Sequence, residues 1–134
     1  MIRAINVADA TAALTPIVDR GPQTTEAEVE HAFAELGGGD FLDCGVFLGR
    51  FNGNAGWERH MKGDEFVHVI GGSTKFDIII DDEKQTLELD TGMVVVVPRG
   101  CWHRFCSDEG VTLLTATPRK DEIHTFVEDP RTDL

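Results

Sequence analysis

The fold of this chain is decided by two stretches of sequence, GWERHMKGDE at residues 56–65 and GMVVVVPRGCWH at residues 92–103. Each combines a β-prone run with a glycine-containing turn, which is typical of short strands joined by tight turns. Glu58 and His60 are two residues apart, so in a strand their side chains lie on one face. Glu65 follows a Gly-Asp turn and His103 follows a Pro-Arg-Gly turn, so both can point into the same interior. The sequence therefore predicts an all-β sandwich or barrel in whose interior these four side chains can meet.

Imidazoles and carboxylates collected from separate strands are the ligands that a divalent metal needs. Two carboxylates in one apolar cavity repel each other, and a cation between them removes that conflict. We predict a metal site of Glu58, His60, Glu65 and His103, with iron, manganese, zinc or nickel as the ion. His60, His103 and one glutamate also form a two-His-one-carboxylate set, which leaves positions open for substrate or dioxygen. Glu58 has three possible roles: a ligand, a catalytic acid or base beside the metal, or the mark of a site that no longer holds metal.

The same two stretches resemble the paired motifs of the cupin superfamily over roughly residues 45–118. The residues that match these motifs in register are His60, Glu65, Gly72, Gly92, Pro98, Gly100 and His103. Three positions depart from the usual pattern. Glu58 stands where the first histidine is usual, Asn52 holds the place of the leading glycine with Gly53 beside it, and Ser107 replaces an asparagine. The usual cupin pattern offers three histidines and one glutamate.

The resemblance implies an all-β protein, a cupin-type jelly-roll barrel of six to eight strands. At 134 residues the chain is predicted to be one cupin domain over 1–134, with an N-terminal arm and helix at 1–43, the barrel at 44–118 and a polar tail at 119–134. One short helix is expected, because Thr25 to Glu28 fits a capping box and apolar residues then recur at helical spacing as far as Leu36. The Asn-Gly pair at 52–53 predicts a hairpin turn.

For function, the resemblance implies a small metal-binding cupin that acts on a small oxygenated metabolite by dioxygenase, isomerase or decarboxylase chemistry. The chain has no tyrosine, whereas cupin-type sugar epimerases typically use a tyrosine acid. The alternative is a metal-free module that binds or senses a small molecule without turnover. Whether the chain is an enzyme stays open at this point.

The partners expected are a small-molecule ligand, as the resemblance implies, and a second copy of the chain. A net charge of −12 disfavours nucleic acid and anionic membrane surfaces. No apolar run is long enough to span a bilayer and no export signal is visible, so the cytoplasm is the expected location. The arm at residues 1–23 is long for a single barrel. It could add a strand to a partner's sheet, and we predict a homodimer on that basis.

Overall fold

The computed structural model describes residues 2–131 and consists mainly of β-strands. Its elements in chain order are α1 (Val7–Ala12), β1 (Ile17–Arg20), α2 (Glu26–Ala32), β2 (Phe33–Glu35), β3 (Cys44–His60), β4 (Glu65–Ile80), β5 (Glu83–Asp90), β6 (Val94–Val97), β7 (His103–Pro118) and β8 (Glu122–Thr125). The all-β fold predicted from the sequence is confirmed. No helix among residues 2–131 is long and apolar enough to cross a membrane.

Three long strands form the frame of the barrel. Strand β7 pairs antiparallel with β3 on one side and with β4 on the other, and β5 extends the sheet from β4. The short strands complete the edges: β1, β2 and β8 pair with β3, and β6 pairs with β4. Strand β3 therefore carries the N-terminal and C-terminal segments of the chain as well as its partner β7.

The predicted hairpin turn at Asn52-Gly53 is wrong, because this pair lies inside the continuous strand β3, and Gly71-Gly72 likewise lies inside β4. The pairing register shifts at each of these places, so the strands bend through bulges instead of reversing. Gly53 and Gly72 have φ values of 98° and 71°, which a β-carbon disfavours. A positive-φ glycine in a bulge has the same local sequence signal as one in a hairpin turn. As a result, pairs of predicted short strands are single long strands.

The N-terminal region is more structured than an arm. The predicted helix is present as α2, and the capping box of Thr25 and Glu28 is confirmed. This helix ends at Ala32 rather than continuing to Leu36, since Phe33 is extended and its ring stacks on Phe51 at 6.4 Å between centroids. Helix α1 and strand β1 were not predicted. Strand β1 pairs in parallel with β3, within the chain's own sheet.

The core fills the barrel with side chains from its long strands. Its fully buried members include Val67, Val69 and Phe76. Outside this core, Trp57, Ile79 and Trp102 form a second buried cluster. The C-terminal segment closes over that cluster, since the Trp57 indole N–H donates to the carbonyl of Glu128 at 3.1 Å. The segment predicted as a polar tail thus contributes β8 and a cover to the fold; residues 132–134 of that prediction lie outside the described residues.

Candidate metal centre

Two turns place the predicted ligands at one end of the barrel. The carboxylate of Asp64, in the first turn, accepts a hydrogen bond from the Arg99 backbone N–H in the second at 2.8 Å. The Gly100 N–H donates to the His60 carbonyl at 2.9 Å, which ties the second turn to the end of β3. Glu58 of β3 and His103 of β7 are opposite each other in the sheet register. The backbone of the two motif stretches therefore directs their predicted ligand side chains to the same end of the barrel.

The structure brings together all four residues predicted as metal ligands. One donor atom from each of Glu58, His60, Glu65 and His103 lies within 4.8 Å of every other. The four imidazole-to-carboxylate distances span 3.1 Å, from His103 Nε2 to Glu65 Oε1, to 3.8 Å, from His60 Nε2 to Glu58 Oε1. Ligand bonds of about 2.1 Å would separate neighbouring donors by about 3.0 Å at right angles and about 3.4 Å in a tetrahedron. The observed spacing is thus close to that of ligands around one shared ion.

Several of these donor atoms are buried and make no hydrogen bond to any residue in the range 2–131. Both ring nitrogens of His60, Nε2 of His103 and Oε1 of Glu65 have no hydrogen bond to any residue in the range 2–131. His60, Glu65 and His103 are almost fully buried, whereas the Glu58 side chain is about a quarter exposed. Each buried polar atom left without a partner costs about 1–3 kcal/mol. A divalent cation among them would satisfy several at once, so the residues present fit a metal.

In the absence of metal, the electrostatics of the site favour protonated imidazoles beside ionised carboxylates. Burial alone would lower the pKa of each imidazole, but the adjacent Glu58 and Glu65 carboxylates outweigh it. They raise the pKa of His60 to about 9 and that of His103 to about 10. In the same way, burial would raise the pKa values of Glu58 and Glu65, but the two close imidazoles lower both. Without metal, the site at neutral pH therefore holds two imidazolium and two carboxylate groups.

Two further contacts orient the ligands. His103 Nδ1 lies 3.0 Å from the Cys101 carbonyl, and an N–H donated there leaves Nε2 free to bind a metal. The Thr117 hydroxyl donates to Glu65 Oε2 at 2.6 Å, which turns Oε1 of the same carboxylate towards the imidazoles. Thr117 was not predicted from the sequence. Its alternation with Thr115 along β7 was the available signal, because both hydroxyls lie on one face and 2.8 Å apart.

A third carboxylate at the site was also missed. Glu122 of β8 places Oε1 3.8 Å from His60 Nδ1, and its side chain is about half exposed. Burial, and then the negative charge of Glu58, raise the pKa of Glu122 to about 7. Glu122 belongs to the segment predicted as a polar tail. The alternating run from Glu122 to Thr125 was a strand signal, but nothing local connects it to the motifs.

An open cavity of about 580 Å³ reaches the four-residue cluster, since Glu58 and Glu65 are part of its lining. This volume is within the range of about 300–1,000 Å³ that is usual for small-molecule sites. Its carboxylates are Glu58, Glu65 and Glu122 at the site, with Glu35 at an exposed position. Half of the apolar side chains in its lining are aromatic: Phe33, Phe47, Phe51 and Phe105, beside Val29, Ala55, Leu113 and Pro118. Arg20, Arg119 and His124 also line it. The arrangement can hold a small organic molecule against a bound ion.

The remaining histidines lie outside the four-residue cluster. His31 is exposed and His68 is half-buried in β4, as expected of residues that do not bind metal. His124, in the segment predicted as a polar tail, lies in β8, with Nε2 2.8 Å from the Ala55 carbonyl, and much of its surface is exposed.

This chain belongs to the cupin domain family, whose sequence model matches residues 51–117. The matched region contains both motif stretches and all four clustered residues. The resemblance inferred from the motifs is therefore confirmed, and with it the jelly-roll barrel.

The chain is similar over a shorter stretch to a curated enzyme. It is 39% identical over 49 residues to acireductone dioxygenase of Rhodopseudomonas palustris strain TIE-1. That alignment covers 37% of this chain and 29% of the relative, so the chain matches less than a third of the enzyme's length.

Solved structures support the fold over more of the chain. A cupin-2 domain protein from Shewanella frigidimarina NCIMB 400 superposes with a TM-score of 0.62 at 21% identity, covering 86% of this chain and 94% of the other. A hydroquinone 1,2-dioxygenase superposes with a TM-score of 0.52 at 20% identity, covering 61% of each chain. At these identities the likeness establishes the barrel alone.

Proposed function

We propose that this cupin is a metal-dependent enzyme that acts on a small oxygenated metabolite, with a dioxygenase-type reaction as the first candidate. One observation carries the proposal: one donor atom from each of the four residues lies within 4.8 Å of every other, and several of these atoms are buried without a hydrogen bond to any residue in the range 2–131. A site of this kind is costly for an empty or purely structural barrel to maintain. It is compatible with a protein that binds a cation.

Glu58, His60, Glu65 and His103 would hold the ion. Imidazole and carboxylate donors together suit iron, manganese, zinc or nickel. When bound, a divalent metal supplies Lewis-acid polarisation of a coordinated oxygen, or a binding position for dioxygen. The two histidines and Glu65 are the most buried donors, so we propose them as the permanent ligands.

The chain's own residues would position the substrate and handle its protons. Glu58 is the most exposed of the four and faces the cavity, so its carboxylate can act as a ligand or accept a proton from the substrate. Glu122 lies beside it and can pass that proton towards solvent. The aromatic lining would exclude water around the apolar part of a substrate. We propose Glu58 as the catalytic acid or base.

The choice of reaction class rests on two observations about the sequence. The local similarity to acireductone dioxygenase favours oxygen chemistry. The chain contains no tyrosine, which disfavours an epimerase mechanism of the usual cupin type. Isomerisation and decarboxylation use the same polarised oxygen, so they are the competing outcomes of the test.

The test is reconstitution of metal-free protein with iron, manganese, zinc or nickel, followed by metal analysis and an oxygen-uptake assay. Ene-diols, hydroquinones and 2-oxo acids are suitable substrates to screen, with products identified by mass spectrometry. We expect one ion per chain and turnover of at least one class. The matched control is the double variant H60A/H103A, which lacks both imidazoles, and thermal melting of this variant checks that it is folded before its metal content is compared.

A metal-free binding module would give a different result. It would show thermal stabilisation by a small molecule in the absence of metal, and the molecule would be recovered unchanged. That outcome, together with no stoichiometric metal after reconstitution, would contradict the proposed function.

The homodimer and the cytoplasmic location stay predictions. The homodimer prediction was based on the arm at residues 1–23, and one part of that arm, β1, pairs with the chain's own β3 and is therefore not free to extend a partner's sheet. Residues 2–16 and the outer faces of the barrel are the surfaces that remain for a second copy.

A further inference from the structure

Arg20 is a cation in the cavity whose side chain makes no hydrogen bond and no ion pair with the described residues. It ends strand β1, and its side chain lines the same cavity as Glu58 and Glu65. Its guanidinium lies over two aromatic rings, 5.1 Å from the centroid of Phe33 and 4.7 Å from that of Phe51. Within residues 2–131 it makes no side-chain hydrogen bond and no ion pair. Stacking of this kind occupies the flat face of the guanidinium and leaves its N–H edge for an acceptor.

The backbone around Arg20 is held in place by β3. Arg20 is in register with Gly53, and a β-carbon on that glycine would collide with the backbone nitrogen and carbonyl oxygen of Arg20. The Asn52 side chain accepts a hydrogen bond from the Asp19 N–H, which fixes the preceding residue. Asn52 holds the place of the leading glycine in the first cupin motif, and Gly53 is the residue beside it. The guanidinium is thus positioned before any ligand arrives, which lowers the entropic cost of binding.

The net charge of the metal site favours Arg20 as the partner of an anionic group. A divalent ion together with the Glu58 and Glu65 carboxylates has a net charge of zero, whereas a divalent ion with the usual three histidines and one glutamate has a net charge of plus one. The other arginine of the cavity, Arg119, is already paired with Glu35 and Asp40, at 2.7 Å each. Of the cavity arginines, Arg20 is therefore the one available to neutralise a negative group on a substrate.

We propose that Arg20 is the residue that selects a carboxylate on the substrate. The substrate class would be a small molecule with two metal-binding oxygens at one end, an apolar or aromatic middle, and a carboxylate that contacts Arg20. A carboxylate matches the planar fork of the guanidinium with two parallel hydrogen bonds. A phosphate dianion is less suitable because the carboxylates of Glu58 and Glu122 lie in the same cavity and would repel it more strongly. This inference rests on the proposed function, because it assumes a bound metal.

The competing explanation is that Arg20 is structural and neutralises the acidic cavity. Burial lowers the pKa of Arg20, and the charges of Glu58 and Glu122 oppose that effect, so the arginine does interact with those carboxylates. A structural role predicts that removal of Arg20 changes stability or metal affinity. It does not predict a change in preference between a charged ligand and a neutral ligand of the same shape.

The experiment compares two matched series of probes on zinc-loaded protein by titration calorimetry. The first series is the monohydroxamates of succinic, glutaric and adipic acid, which present a chelating group and a free carboxylate. The second series carries a primary amide in place of that carboxylate. We expect at least one chain length to bind roughly 10- to 100-fold more tightly as the carboxylate, the range for charge-assisted hydrogen bonds. R20Q should bind both forms equally, and R20K should retain part of the preference.

The matched control is R119Q, which removes the same charge from another arginine of the cavity. R119Q should keep the carboxylate preference of the wild-type protein. Zinc stoichiometry and thermal melting of each variant establish that it is folded and loaded.

The outcomes separate this inference from the proposed function. Failure of the wild-type protein to hold zinc contradicts the proposed function and removes this inference with it. Zinc and hydroxamate binding without a carboxylate preference, or with the same preference in R20Q, overturns only the role of Arg20.

Discussion

The pH dependence of metal binding follows directly from the charges of the metal-free site. The pKa of His60 is raised to about 9 and that of His103 to about 10, against an ordinary value of 6.5. Both imidazoles are therefore protonated at pH 7–8 and must lose a proton to bind metal. The carboxylates of Glu58 and Glu65 have lowered pKa values and release none. Binding should release close to two protons, so the apparent association constant should rise about 100-fold per pH unit in this range.

The assay is a competition titration of zinc between metal-free protein and a chelator of known affinity, from pH 7 to 8. Calorimetry in buffers with different ionisation enthalpies counts the released protons independently. Glu122, whose pKa is about 7, adds at most a fraction of a proton in this range. Imidazoles with ordinary pKa values would be largely neutral by pH 7.5, and the affinity would then become nearly independent of pH. A slope near zero would refute the account of paired imidazolium and carboxylate groups.

Four other predictions concern the stability of the protein, two residues of the site and the oligomeric state. The free energy of unfolding of the metal-free protein should fall from pH 7 to 10. The folded state raises the pKa of His60 to about 9 and that of His103 to about 10, so their protonation stabilises the fold fully below the ordinary pKa of 6.5 and no longer does so above the folded values. Thermal melting across this pH range checks this, and a flat profile would contradict it. E58Q should weaken zinc binding by more than the roughly 10- to 100-fold typical of an outer contact, whereas E58H keeps a ligand and should lose less; equal losses would mean that Glu58 does not bind the ion. T117V should cost about 10- to 100-fold in zinc affinity by freeing the Glu65 carboxylate, with T115V as the matched control one contact further away. Sedimentation velocity at micromolar concentration should give the mass of two chains, and a monomer would disprove the homodimer.

The four predicted ligands could be identified from the sequence because each is marked by the residues directly beside it in the chain. Glu58 and His60 share a strand face by a spacing of two, and Pro98 and Gly100 mark the turn before His103. Both motif turns have the predicted position, and a hydrogen bond joins them. Sequence spacing alone did not decide whether Glu58 binds the ion, since the carboxylate geometry is similar for a ligand and for a neighbouring base.

The parts that were missed depend on contacts between remote segments. Arg20 and Glu122 reach the cavity because β1 and β8 pair with β3, and neither segment has a motif of its own. Helix α2 stops early because Phe33 packs on Phe51, which is a tertiary contact that overrides helical spacing. Gly53 was interpreted as a hairpin residue, but it is needed where strand β1 approaches β3.

Anomalous diffraction from crystals of reconstituted protein, measured above and below the absorption edge of the added metal, tests the central claim most directly. We predict one peak per chain, about 2.0–2.2 Å from the imidazole nitrogens of His60 and His103 and from a carboxylate oxygen of Glu65. Absence of a peak among these residues, in crystals grown with excess metal, would contradict the account.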